Sequence, residues 1–183
     1  MRCTYNIGMA EIQIEEWRHE DGDGVVEMLA AVLQAVVHDG ASVGFILPFP
    51  IEEARAWWTE RVLQDVRTRK RRLLLAWDGT EVVGTVHLNL DTMPNQAHRA
   101  EVSKLLVHPK SRRRGIARAL MIELEAIARS GGRTLLTLDT RSGDRAEPLY
   151  LSMGYTFVGA IPHYAKAPDS AALDATSILY KEL

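Results

Sequence analysis

The order of apolar and polar positions along the chain places each element. Ile12 and Ile14 alternate with polar neighbours up to Glu16, which predicts a first strand. Val25, Val26, Met28, Leu29, Val32, Leu33, Val36 and Val37 then share one helical face, with Asp21 and Asp23 offering caps and Asp39-Gly40 closing the helix. Pro50, Glu52 and Glu53 open a second helix that carries Ala54, Trp57, Trp58, Val62 and Leu63. Two adjacent tryptophans cannot both face one core centre, so one is expected near the preceding loop while both pack in the core. Apolar runs at 73–77 and 82–90 flank Asp78-Gly79, the mark of a tight hairpin. A strand at 100–107 ends at Pro109. Ile116, Ala117, Leu120, Met121, Leu124, Ile127 and Ala128 form the face of a third helix, closed by Gly131-Gly132. A short apolar strand at 134–139 is expected to run parallel to the 102–107 strand across that helix. A short helix at 144–152 follows, then strands near 155–161 and 176–182 around a loop at 162–175.

The order β-α-α-β-β-β-α-β-α-β-β, without repeat or linker, predicts one α/β (α+β) domain over residues 1–183. Its mixed, mostly antiparallel sheet should have about seven strands flanked by about four helices. Residues 1–9, with the lone Cys3, are expected as a frayed terminus. The length suffices to bury a core, and a net charge of −2 gives no global electrostatic case for nucleic acid. The densest basic run, Arg67-Thr-Arg-Lys-Arg-Arg72, reads most simply as a helix C-terminus, where cations complement the dipole. No apolar run approaches the ~20 residues that cross a bilayer, and the first residues lack the apolar stretch of a signal peptide. A cytoplasmic protein with no membrane partner is expected, and its six scattered histidines predict no metal site.

Chemistry concentrates in Glu101-Val-Ser-Lys-Leu-Leu-Val-His-Pro-Lys-Ser-Arg-Arg-Arg-Gly-Ile-Ala-Arg-Ala-Leu120, where a strand passes through a basic turn into a helix. Unpaired amides in a helix's first turn, with the positive end of its dipole, form an anion site. Arg112, Arg113 and Arg114 surround that site, and Gly115 lets a ligand approach the main chain, an arrangement suited to a pyrophosphate. Neither a Walker loop nor a dinucleotide fingerprint occurs in the chain.

The pattern Arg112-x-x-Gly115-x-Ala117 after Leu-Leu-Val-His-Pro resembles the acyl-coenzyme A signature of the GNAT N-acetyltransferase superfamily. Ala146-Glu-Pro-Leu-Tyr150-Leu-Ser-Met-Gly154-Tyr155 resembles the segment in which that family presents a tyrosine to the coenzyme sulfur. Asp39–Phe45, His98–Val107, Leu138-Asp-Thr140 and Val158–Pro162 are similar to segments of the tabtoxin resistance acetyltransferases within it, so the likeness covers most of the chain. The resemblance implies a single GNAT-like domain, acetyl-CoA as cosubstrate, and acetyl transfer to an amine, with the acceptor left open. It implies coenzyme contacts from Leu105, Leu106, Val107, Arg112, Arg113, Arg114, Gly115, Ile116, Ala117, Arg118 and Tyr150. It implies a further coenzyme contact at Ser142, which stands where many members carry asparagine.

Acyl transfer from a thioester needs a neutral amine, a polarised carbonyl and a proton for the thiol. A Lys-type amine, with a pKa near ~10.4, is mostly protonated at neutral pH and needs a base. Glu101 and Asp139, on adjacent strands, are the two candidates, each also readable as a structural cap or ion pair. Tyr150 is the candidate acid, and main-chain amides of the 105–107 strand are the candidate donors to the carbonyl. Ser42, Phe45 and His163 are placed by position near the acceptor, for which a small amino-acid-like or antibiotic amine fits the resemblance best. A protein N-terminus or lysine, or a coenzyme-binding module without turnover, are the alternatives. A strand edge near the C-terminus could pair in a homodimer.

Overall fold

A computed structural model describes residues 2–7, 10–18 and 24–183. The proposed caps Asp21 and Asp23 lie outside the described residues. Eight strands form one sheet: β1 (Arg2–Ile7), β2 (Ala10–Trp17), β3 (Arg71–Asp78), β4 (Glu81–Asn89), β5 (Arg99–Val107), β6 (Leu135–Arg141), β7 (Thr156–Lys166) and β8 (Leu173–Glu182). Their order is β1-β2-β3-β4-β5-β6-β8-β7, and among the described residues only β5 and β6 pair in parallel. The expected architecture therefore stands, with one strand more. That strand is β1, from residues expected to fray: it pairs with β2 from Arg2↔Glu15 to Ile7↔Ala10, and Tyr5 Oη donates to Glu123 at 2.6 Å. Cys3, Tyr5 and Ile7 do alternate with Arg2, Thr4 and Asn6, but the run is short and terminal, and its order comes from the open edge of β2 and from the Tyr5 contact with Glu123.

Helices cover both faces. On one lie α1 (Gly24–His38) and a continuous helix made of α2 (Ile51–Trp57), a π-helical turn (Trp58–Val62) and α3 (Leu63–Arg67). On the other lie α4 (Ile116–Ser130) and α5 (Ala146–Ser152). Strand alternation serves the two cores separately: Leu73 and Leu75 join the α1 side, Leu74 and Ala76 the α4 side. That is why the 73–77 run is continuously apolar rather than alternating. Trp58 is fully buried, whereas half-buried Trp57 meets Phe45 of the preceding loop edge-on at 5.5 Å. The basic run divides between elements: Arg67 ends α3, while Arg71 pairs with Asp65 at 2.8 Å, Arg72 with Glu16 and Lys70 with Asp91.

His87, fully buried on β4, was not marked by the sequence pattern. Its Nδ1 lies 3.0 Å from Arg71 Nη1, a donor only, so Nδ1 accepts and the proton sits on Nε2. Burial first, then the charges of Arg71 and Lys104, hold this imidazole well below its ordinary range, so it folds neutral. The unfolded chain protonates His87 near ~6.5, so the group's stabilisation is present above that pH and is lost as pH falls below it. Unfolding free energies from urea titrations should fall by about 1.4 kcal/mol per pH unit from this residue below ~6.5. His87→Gln should flatten that slope, and an unchanged slope would place the acid sensitivity elsewhere.

Candidate active site

β5 and β6 pair only from Arg99↔Leu135 to Glu101↔Thr137. Beyond that register the strands separate, and the edge of β5 facing β6 is left without ladder bonds from Val102 onward. A bulge sharpens the departure: between Thr85↔Leu106 and His87↔Ser103, β5 carries one extra residue, and Lys104 adopts φ 51°. The wedge between the strands opens into a cleft of ≈ 540 Å³. Its walls come from β5, β6, the loop after α1, the turn before α4, α5, and the β7–β8 hairpin.

At one part of the cleft the chain turns through a 3₁₀ segment (Pro109–Ser111), then Arg113 at φ 62° and Gly115 at φ 75°, into α4. Among the described residues, the backbone amides of Arg113, Arg114 and Gly115 donate to no carbonyl. Together with the first-turn amides of α4 they supply converging donors at a positive helix end. Of the three arginines expected around this site, the side chains behave differently. Arg113 is exposed and lines the cleft. Arg112 lines it too, but its guanidinium is held by Asp39 and by the Val107 carbonyl at 3.3 Å. Arg114 turns away to Asp78 at 2.6 Å and Arg118 to Ser152 at 2.6 Å, and neither lines the cleft. Ile116 is buried in the core, so it can offer only its amide, while Ala117 faces the cleft.

Leu105, Leu106, Val107, Asp139, Tyr150 and Ser42 also line the cleft, so the structure brings together most of the residues singled out by sequence. Tyr150 is 5 % exposed on α5, its ring 5.7 Å from Tyr155, and its hydroxyl bonds no described residue. Burial first, then the negative charges of Asp139 and Asp144, push its phenol well above the ordinary range. Asp139, near the end of β6, is exposed and accepts from Thr176 Oγ1 at 3.2 Å. Its carboxylate is therefore in contact with solvent.

Besides Arg114, Ile116 and Arg118, further residues named from sequence do not line the cleft. Glu101 sits at the last paired position of β5 and β6 and does not line the cleft. Ser142 does not line it either; its hydroxyl is engaged with Ser177 at 2.9 Å. Phe45 packs against Phe49 at 4.6 Å rather than lining the cleft. The expected 162–175 loop is mostly strand, since β7 runs to Lys166 and β8 begins at Leu173. In that hairpin Tyr164 and Ala165, not the exposed His163, line the cleft; the strand register shifts between Ile161 and Ala165 and His163 stands at φ 54°, so the side chains there do not simply alternate. Lys104 and Arg141 are among the cleft residues not identified as such from sequence. Lys104 interrupts an apolar strand, which is the signal that could have marked it. Arg141 bridges the Gly40 carbonyl at 3.2 Å and Asp174 at 3.5 Å, long-range partners that no local pattern reveals. Among the described residues no group of three or more His, Cys, Asp or Glu could hold a metal ion, and no helix is long and apolar enough to cross a membrane.

Amides converging at a helix start, joined to a wedge between splayed parallel strands, give one cleft with anion-binding donors at one end and unpaired strand edges along it. The family model for the acetyltransferase (GNAT) family matches residues 37–155, more than half of the chain, and the chain belongs to that family. It is an acyltransferase, and its fold uses acetyl-CoA. Similar solved structures include a ribosomal-protein-alanine N-acetyltransferase from Brucella melitensis, 20% identical with TM-score 0.75, over 93% of this chain and 99% of that one. An acetyltransferase from Salmonella typhimurium, solved with its cofactor acetyl-CoA, is 18% identical with TM-score 0.72, over 94% of each chain. A candidate phosphinothricin N-acetyltransferase is 19% identical with TM-score 0.72, over 94% of this chain and 98% of that one.

Proposed function

We propose that this enzyme moves the acetyl group of acetyl-CoA directly to the primary amine of a small molecule, an amino-acid-like or antibiotic or toxin amine, in the cytoplasm. The observation that carries the reading is the shared cleft. Free amides at Arg113–Gly115, the unpaired edge of β5, Tyr150 and Asp139 all open into one space of ≈ 540 Å³. The amides of Arg113 to Arg118 receive the phosphates, with Arg113 as the exposed cation beside them. Main-chain donors on β5 at Leu105–Val107 polarise the thioester carbonyl, each worth about 3 kcal/mol when aimed at developing negative charge. Tyr150 keeps its proton and offers its hydroxyl as a hydrogen-bond donor to the sulfur as negative charge builds there.

Asp139 is the better placed of the two carboxylates to take the amine proton, directly or through water, because it lines the cleft and Glu101 does not. Similarity to the tabtoxin resistance acetyltransferases points to a small acceptor, and so does an acceptor space bounded by Ser42, Tyr164 and Thr176. The alternative acceptor, a protein N-terminus, has a structural neighbour named for it. The exposed strand β7, with Phe157, Val158 and Ile161 at 46 %, 63 % and 45 % exposure, offers an edge for a homodimer.

Acetyl-CoA at a hundred times its Kd should stabilise the fold by about 2.7 kcal/mol, a rise of about 5–10 °C in Tm. A thiol-release screen against small amines and N-terminal peptides should then give turnover with small amines. No thermal shift and no thiol release would end the enzyme reading, and turnover confined to peptides would replace the acceptor class.

A further inference from the structure

The cleft holds four acids, Asp39, Asp139, Asp144 and Asp174, and five cations, Lys104, Arg112, Arg113, Arg141 and Arg145. Arg112 and Arg141 are committed to carboxylates, and Arg113 and Arg145 are solvent-exposed. Among the described cleft residues, Lys104 alone is a half-buried cation with no carboxylate partner. Its Nζ lies 5.8 Å from the Trp57 ring centroid and 3.7 Å from where a Cβ on Gly44 would stand, under the loop that follows α1. The residue also sits at φ 51° on the β5 bulge, a backbone region that costs a non-glycine residue about 1–3 kcal/mol and that glycine adopts without penalty. A lysine retained at a glycine-favouring position, with its ammonium turned into a cavity, indicates that the side chain is needed there.

Taking the transferase reading as its basis, we propose that Lys104 anchors the carboxylate of the acceptor, so that the substrate is an amino acid or an amino-acid-like zwitterion rather than a simple amine. Asp139 lines the same cleft; burial first holds the Lys104 ammonium below its ordinary range, and the charge of Asp139 opposes that shift. A zwitterion bound with its carboxylate at Lys104 turns its amine toward Asp139, opposite charges meeting at both ends. Trp57 closes the site behind the ammonium and keeps water from competing for the ion pair. A simple amine would leave the ammonium desolvated and unmatched, the arrangement by which a site rejects a ligand lacking the expected group.

The test uses matched pairs: lysine, ornithine, methionine and 2,4-diaminobutyrate, each against its carboxamide and its decarboxylated amine. Turnover by thiol release is read beside binding of the corresponding N-acetyl products, followed by tryptophan fluorescence next to Trp57. The carboxylate member should be preferred in kcat/KM or product affinity by about ten- to a hundredfold, as expected for one charge-assisted contact. Lys104→Met and Lys104→Gly should abolish the preference through KM, and Lys104→Arg should restore much of it. Lys104→Gly, which suits the bulge backbone, should melt no lower than Lys104→Met, so loss of preference is separable from loss of fold. A panel without carboxylate preference, or a preference that survives Lys104→Met, overturns the assignment while leaving acetyl transfer intact. Absence of acetyl-CoA binding to the wild-type enzyme overturns both readings together.

Discussion

Tyr150→Phe should lower kcat by about a hundredfold or more, the size of one general acid's contribution, while the Kd for acetyl-CoA changes little. The substitution removes a single oxygen. The ring stays buried against Tyr155, and the hydroxyl bonds no described residue, so no partner is stranded. Because burial and the charges of Asp139 and Asp144 raise this phenol, it keeps its proton throughout the neutral range. It is therefore a weaker acid than a thiol near ~8.5. Its effect is a hydrogen bond that strengthens as charge builds on sulfur, while the proton the amine gives up balances the one the thiol finally takes. Single-turnover kinetics should place the loss in the acyl-transfer step, with no alkaline limb from Tyr150 ionisation below pH ~10. Unaltered turnover would remove Tyr150 from the chemistry.

Gly84→Ala should destabilise the protein by about 1–3 kcal/mol and weaken acetyl-CoA binding as well. A Cβ there would stand 2.9 Å from the Leu106 carbonyl oxygen, 3.3 Å from Leu120 Cδ1 and 3.4 Å from Ile116 Cγ2. The first contact is backbone and cannot rotate away, so β5 must move from β4 at the register Gly84↔Val107. The same displacement reaches Ile116, where α4 begins, and so the amides on which the phosphates are proposed to rest. Gly24→Ala, whose added Cβ meets nothing within 4 Å, is the control. Denaturation midpoints equal for the two variants would show that β4 and β5 have slack the distances deny.

The element order was legible because apolar spacing is a local property. The turn from β5 into α4, with Gly115 at φ 75°, could be read as an anion site because strand, turn and helix are contiguous. Residues whose side chain and environment are set within a few positions, such as Arg113, Ala117 and Tyr150, do line the cleft. Arg114 and Arg118 were not, since their direction depends on Asp78 and Ser152, distant in sequence. His163 against Tyr164 turned on which face of β7 looks inward, which a loop assignment had no means to express.

By itself, then, the amino-acid order determined the alternation that makes the sheet, the two helical layers that cover it, and the amide-rich turn, because backbone sterics and hydrophobic periodicity act over a few residues. Only the tertiary structure decided that β5 and β6 part company after Glu101 and Thr137, that a bulge turns Lys104 into the opening, and that Asp139 rather than Glu101 borders it. Those outcomes depend on pairings between strands far apart in the chain, and a register shift of one residue would have reversed the face each side chain presents.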